Sequence, residues 1–510
     1  MPLLRRSIPY VLGFALAVSA AGLLARVWFE IGSGYLSGDA LIFQTVGRGI
    51  LNGITPWSGL FETKPPLVFI LPAVSLKLFG DQALVKIVQG IVLLLIPIFT
   101  VLPAVLLVQE ASPRVRRMVT GIAALFGILM ANYAGNQAGY ALAESHGAGF
   151  GVAFIAVVAA GWLNTSWRKQ SLLLGVLLLL ATGFKEPFVF SILGGTILFT
   201  GRWSDLGKTF VVPVLIAAVV GVLCLLLLGW FGAFFGTYLP HMLGFHVFQH
   251  DLPVWIRALE LHRYMENAWV YSPFFAMSLV LLWVAPPVLV WMRGGTSLYS
   301  RIGFLLRWAI GTYVTLLSVA MGGDFYGHHF IFALPFYVAL FLYILPHVVL
   351  HISWKPERIA ASLFAGLLVL SALMDTQLSF ADLADHGQDQ ERDMRTVAAL
   401  IDDSMDRCGY DRYLQLIPRG GGPFAYTEHS PYGPIFVHYA RFIGANKEYQ
   451  RQYLDALQEA PLMLLRDLES SNLSEFAQQY VRVHYTENPP ACAGERFEQP
   501  VPYHVLFRQE

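Results

Sequence analysis

Residues 38–57, GDALIFQTVGRGILNGITPW, and 61–80, FETKPPLVFILPAVSLKLFG, decide how the rest of the chain is read. In the first stretch Ile42, Val46 and Ile50 recur every fourth residue and share one helical face, whereas Gln44, Arg48 and Asn52 share the opposite one. A helix of that kind lies along a boundary between water and an apolar phase. In the second stretch the apolar run 66–79 makes roughly 21 Å of helix, against a hydrocarbon core of about 30 Å. It is too short to cross and is expected to lie in the same boundary.

The composition supplies that apolar phase. Of 510 residues 56% are hydrophobic and only 13% are charged, and the mean hydropathy is +0.56. A soluble domain carries about 25% charged residues. The formal net charge is zero, which argues against nucleic acid as a partner. The 12 Trp and 22 Tyr suit long interfacial belts in contact with membrane lipids.

Apolar runs long enough to span lie near 8–29, 84–109, 118–134, 147–164, 171–184, 187–201, 209–230, 271–292, 302–320, 330–347 and 359–375. That makes about eleven transmembrane helices. The first run follows Arg5 and Arg6 and includes AVSAAG at 17–22, which resembles a signal-peptide cleavage site. Its length favours a retained helix. Arg5/Arg6, Arg114/Arg116/Arg117, Arg168/Lys169, Arg202/Lys208, Arg293/Arg301 and Lys355/Arg358 all fall in alternate loops, so those loops are expected in the cytoplasm. Segments 30–83, 135–146, 231–270, 321–329 and the tail after about 376 are then expected outside. The expected organisation is a transmembrane domain over 1–375 and an extracytoplasmic α/β domain over 376–510.

In the tail, ERDMRTVAALIDDSM (391–405) has helical spacing. YLQLI (413–417), IFVHY (435–439), PLMLL (461–465), YVRVHY (480–485) and YHVLF (503–507) read as short strands. Cys408 and Cys492 both belong to this outer domain, whereas Cys224 sits alone in an apolar helix. An oxidising compartment implies a Cys408–Cys492 disulfide, and a cytoplasmic tail would leave two thiols. No cysteine spacing suits zinc. There is no internal repeat of the kind seen in inverted-repeat transporters.

Ionisable groups near membrane depth need a reason, because each opposes insertion by roughly 2.5–3.5 kcal/mol. Here they gather on the outer side: Asp39, Glu62 and Lys64 in the first loop, Glu144 and His146 in the second, Lys185 and Glu186 at a helix turn, and Asp324, His328 and His329 in the last. No Gly-rich nucleotide-phosphate loop is present.

The first loop resembles that of the GT-C glycosyltransferases, and within them the group containing protein O-mannosyltransferases and the lipid A aminoarabinose transferase. In those enzymes an acidic residue opens an interfacial helix and a Lys-Pro-Pro precedes a second one, as Asp39 and Lys64-Pro65-Pro66 do here. LLATGFKEPFVF (179–190) is similar to the family's Lys-containing turn, and GGDFYGHHFIFALPFYV (322–338) resembles its late outer motif. ALAESHG (141–147) departs from the Thr-Glu or Leu-Asp pair often found in the second loop.

The resemblance implies a GT-C-like helical membrane enzyme, a hexosyl- or pentosyltransferase using a polyprenyl-phosphate sugar donor and a lipid, glycan or protein acceptor. It implies a general base at Asp39, which otherwise reads as a helix N-cap. A phosphate leaving group needs no strong general acid, so one base carboxylate is sufficient. Lys64 and Lys185 suit the donor phosphate, against simple interfacial anchoring. Glu62 is either a partner for Lys64 or a base. Glu144 is a catalytic candidate that orients the acceptor, or joins His146 and a loop carboxylate on a divalent metal ion. Asp324, His328 and His329 are expected to line the substrate site, though adjacent histidines point apart. His241, His246 and His250 read as one face of an interfacial helix. The rival readings are a transporter or flippase of lipid-linked glycans, which needs polar groups along a transmembrane path, and a surface polysaccharide polymerase or ligase. The expected location is a bacterial inner membrane, with the site facing the periplasm or the cell exterior.

Overall fold

The computed structural model describes residues 2–32, 38–138, 143–161, 166–200, 202–246, 252–271, 273–292, 298–322, 325, 327–351, 388–416, 422–432, 447–465, 475–493 and 503–509. The chain forms two compact units. One comprises Met1–Gly32, Lys86–Cys224 and Leu243–Asp385; the other comprises Ser33–Val85, Leu225–Met242 and His386–Glu510.

The first eight helices are α1 (Pro2–Gly32), α2 (Gly38–Leu51), α3 (Leu67–Phe79), α4 (Ala83–Leu107), α5 (Pro113–Ala138), α6 (Ala143–Ala159), α7 (Trp167–Phe184) and α8 (Phe188–Phe199). The expected interfacial pair is thus α2 and α3. Among the described residues five helices are long and apolar enough to cross a bilayer: Ala83–Leu107, Pro113–Gly135, Trp203–Leu227, Leu298–Met321 and Gly327–Leu345. The other expected spans up to residue 347 also fall on helices, but α8 has only 12 residues, about 18 Å of helix. The expected span at 359–375 lies outside the described residues.

In the first unit α6 is buried along its length apart from half-buried Phe150, so an all-round apolar sequence marks a central helix. Phe126 stacks on Phe341 with centroids 4.1 Å apart. Where α8 crosses the helix Leu298–Met321, Gly194 and Gly311 touch backbone to backbone. A Cβ on Gly194 would lie 2.5 Å from the Gly311 carbonyl oxygen, and one on Gly311 would lie 2.8 Å from that of Gly194. Small residues allow this approach, and apolar helices in lipid pack by such contacts.

The second unit joins α2 and α3 to the tail. Ser33–Val85 and the tail from His386 belong to this unit. The polar face of α2 and the residue just past its end join it to the tail. Gln44 Nε2 donates to the Ala425 carbonyl at 2.6 Å, Arg48 to the same oxygen at 3.3 Å, and Asn52 Nδ2 to Ser430 Oγ at 3.4 Å. The boundary itself, 375/376, lies outside the described residues.

The tail carries a five-stranded sheet in the order β2-β1-β3-β5-β4, from β1 (Arg412–Leu416), β2 (Ser430–Pro431), β3 (Leu462–Leu465), β4 (Tyr485–Thr486) and β5 (His504–Arg508). β1 runs parallel to β2 and β3, while β5 is antiparallel to β3 and β4. Three expected strands appear as β1, β3 and β5, and 391–405 lies within the helix Gln388–Cys408. The expected strand 435–439 lies outside the described residues. YVRVHY is corrected: all but its last residue belongs to the helix Glu475–His484. Ala477 and Val481 are buried four residues apart while Phe476 and Val483 are exposed, a helical period despite the alternating valines. Cys408 and Cys492 are joined by a disulfide, with Cα atoms 5.1 Å apart, and Cys224 is free and exposed.

Candidate active site

In the first unit the site is built where α7 ends. Lys185 leaves the helix in an extended conformation (φ −161°, ψ 118°) and its N–H closes the last turn on the Ala181 carbonyl. Pro187 then opens α8, since proline suits a helix start and stops the one before it. The sequence Lys-Glu-Pro therefore turns the chain in three residues and sets the lysine at the corner. Gly147 on α6 lets that corner approach, for a Cβ there would lie 2.3 Å from Phe188 Cε2.

The approach brings Glu144 to Lys185. Glu144 Oε1 and Lys185 Nζ are 3.1 Å apart, with the carboxylate side chain 4% and the lysine side chain 16% exposed. Glu144 sits in the first turn of α6, where the helix dipole favours its negative charge. Lys185 Nζ also lies 6.0 Å from the Phe332 ring centroid. The His146 ring stacks on Phe184 at 4.9 Å, and His329 lies 6.0 Å from Phe332 and 4.2 Å from His328. Gly322 makes room for the His329 ring, which a Cβ would meet at 2.5 Å. Tyr133 donates to the Gly327 carbonyl at 3.3 Å, tying the last outer motif to α5. Second loop, α7–α8 turn and late motif thus meet in one place. Asp324, expected to join them, lies outside the described residues.

The second unit holds the first-loop candidates. Asp39 is half-buried in the first turn of α2, inside the helix and not at its N-cap, where the dipole again favours a carboxylate. Glu62 is 3% exposed; its Oε1 lies 3.5 Å from Lys64 Nζ and accepts from the Thr63 N–H at 2.8 Å and hydroxyl at 3.1 Å. Lys64 is held from the other side, because Trp57 Nε1 donates to its carbonyl at 3.0 Å. Trp57 itself stands at φ +65°, rare for a bulky side chain. It is enclosed by Phe69, Trp230, Phe234 and Tyr238 at centroid distances of 5.2–6.1 Å. His241 packs edge-on to Phe61 at 4.7 Å, and burial pulls its pKa down to about 4. The side chains of His246 and His250 lie outside the described residues.

Each candidate lysine therefore meets a carboxylate, a pairing that the sequence suggested for Glu62 and Lys64 but not for Glu144 and Lys185. Among the described residues no group of three or more His, Cys, Asp or Glu side chains is gathered to hold a metal ion. Glu144 and His146 are turned to Lys185 and Phe184 instead. The sequence reading overlooked Trp57 and Phe332. The turn-rich ITPWSG was the available signal for Trp57, whereas nothing local marks Phe332 among its apolar neighbours.

No protein-family model matches the chain, and no curated protein matches it. Among solved structures, ArnT from Cupriavidus metallidurans bound to undecaprenyl phosphate is similar at a TM-score of 0.54 and 12% identity, over 97% of this chain and 98% of that one. Archaeoglobus fulgidus oligosaccharyltransferase in complex with Zn and sulfate is matched at a TM-score of 0.47 and 15% identity, over 90% of this chain and 68% of that one. At 12% identity the likeness to ArnT speaks for the fold. From its first helix to its terminal sheet, the chain has the GT-C fold that its outer motifs resemble.

Proposed function

We propose that the chain is an integral-membrane glycosyltransferase that moves a sugar from a polyprenyl-phosphate carrier to an acceptor on the extracytoplasmic side. The observation that carries this reading is the GT-C fold over 97% of the chain, shared with a protein whose structure holds undecaprenyl phosphate. The eleven spans expected from the sequence, the alternate basic loops, and a disulfide in the tail support an outward-facing site.

In the proposed reaction Asp39 takes the proton of the acceptor hydroxyl while its oxygen bonds to the anomeric carbon. The bond from that carbon to the phosphate oxygen breaks, polyprenyl phosphate leaves, and the anomeric centre inverts. Lys185 and Lys64 compensate the phosphate charge. Their carboxylate partners orient each lysine before the donor arrives. Removing one partner of such a pair strands the other charge, by about 3–5 kcal/mol when the pair is deeply buried. The paired variant Lys185→Met with Glu144→Gln is accordingly a cleaner probe than either single change. Glu144, Glu62, Asp324, His328 and His329 serve substrate positioning.

Purified protein in detergent, given labelled polyprenyl-phosphate sugars, is expected to release the carrier and transfer label to an acceptor or to water. Flux across vesicles with the sugar–phosphate bond intact would replace this reading with that of a transporter.

A further inference from the structure

Two polar residues of α2 and the residue just past its end meet one short piece of the tail. Gln44 and Arg48 both donate to the Ala425 carbonyl, at 2.6 and 3.3 Å, and Asn52 reaches Ser430 at 3.4 Å. Spaced four apart, they use the whole polar face of the helix. That piece, residues 422–432, is itself held firmly. Asp402 accepts from the Glu428 N–H at 2.9 Å and from the His429 N–H at 3.3 Å, and its Oδ1 lies 3.1 Å from His429 Nδ1. His429 Nε2 lies 3.4 Å from Asp406. Arg395 covers the Tyr426 ring at 4.5 Å, and Thr427 and Tyr413 share a hydroxyl contact of 2.8 Å. Arg48 enters this setting half-buried, facing the charges of Asp402 and Glu428 with Arg395 and Tyr413 nearby.

We infer that Arg48 is a positioning residue through which tail segment 422–432 sets the rotation of α2 and hence the direction of the Asp39 carboxylate. At about 100° per residue, Asp39 lies roughly 180° around α2 from Arg48. Turning the helix about its axis therefore swings the carboxylate by the same angle. The other face of α2 is apolar, with Ile42, Phe43 and Val46 buried. Apolar packing is non-directional, so it leaves the rotation less defined than the hydrogen bonds to Ala425 do. The tail on this view is part of the catalytic apparatus without touching substrate. The inference rests on the proposed role of Asp39.

The test compares Arg48→Ala, Arg48→Lys and Asp402→Asn with the parent in the transfer assay, with Asp39→Asn alongside. Misplacing a catalytic group by about 1 Å can lower the rate by about 10²-fold. Arg48→Ala and Asp402→Asn are expected to lose about tenfold or more in kcat while KM for the donor stays within about twofold. Arg48→Lys is expected to recover part of the loss. Adding the pair Asn52→Cys and Ser430→Cys to Arg48→Ala, in a Cys224→Ser background, is expected to restore kcat once oxidised. A merely structural role for Arg48 predicts loss of folded protein, which that crosslink repairs without changing kcat per folded molecule. Three results would overturn the inference: undiminished kcat in Arg48→Ala, a crosslink that forms without recovery of kcat, or a pair that fails to oxidise. If Asp39→Asn is fully active, the base assignment has failed; if it is inactive while Arg48→Ala is normal, only the positioning role has.

Discussion

Asp39 stands in the first turn of α2, with its charge supported by the helix dipole. Asp39→Asn preserves the size and much of the local hydrogen bonding but removes the base. Turnover is expected to fall by about 10²–10⁴-fold, the usual contribution of general-base catalysis, while insertion and disulfide formation persist. Glu62→Gln should be milder, since Glu62 is engaged with Thr63 and Lys64. The assay would point to another base if Glu62→Gln or Glu144→Gln abolished turnover and Asp39→Asn did not. His241 offers a prediction of a different kind. Its folded pKa of about 4 lies below the ordinary 6.5 because burial disfavours the imidazolium. As pH falls from about 6.5 to about 4 the unfolded chain takes up a proton that the folded one refuses. Stability is therefore full above about 6.5 and declines through that window, by up to about 3 kcal/mol at 1.36 kcal/mol per unit. Thermal unfolding followed from pH 7 to pH 4 is expected to show this decline, and His241→Phe, which keeps an aromatic ring beside Phe61, should flatten it. Equal pH slopes in both proteins would show that His241 does not control it.

At the scale of elements, the apolar period was the reliable signal wherever a single face or a whole helix is buried. α2 and the helix Gln388–Cys408 follow from their spacing because their burial repeats with the helix itself, and α3 follows from its short apolar run. YVRVHY misled for a stated reason: alternating valines suit a strand, yet only every fourth residue of that segment enters the core. The crossing of α8 with the helix Leu298–Met321 was not legible at all, because a glycine within an apolar run does not announce its partner. That crossing makes a prediction. In Gly194→Ala the new methyl meets Thr315 Oγ1 at 2.4 Å and the Gly311 carbonyl at 2.5 Å. Overpacking of this kind destabilises by about 1–3 kcal/mol. The thermal midpoint should fall, whereas Gly303→Ala on the same partner helix, with nothing within 4 Å of the added carbon, should leave it unchanged or raise it. Equal midpoints for the two variants would mean that the backbones at Gly194 are not in contact.

For the whole molecule, span parity and the basic loops predict the side of the membrane on which the tail lies, and with it the side of the proposed chemistry. A phosphatase fused after Glu510 is expected to be active in intact bacterial cells; activity only after lysis would reverse the topology and move the site with it. The Cys408–Cys492 disulfide closes a separation of 84 residues, restricting the unfolded tail by about 4–5 kcal/mol in the chain-entropy picture. The sequence alone determined that this chain lives in lipid, because composition and run length report directly on the solvent each segment prefers. It also determined which ionisable residues needed explaining, since charge near membrane depth is disfavoured wherever the chain goes. Only the tertiary structure decided how those residues pair. Glu144 and Lys185 are 41 positions apart, and Gln44 and Arg48 are 381 and 377 positions from Ala425. No local propensity encodes such distances. They are set by helices packing against one another and by backbone carbonyls such as that of Ala425, which every residue carries and no sequence pattern reveals.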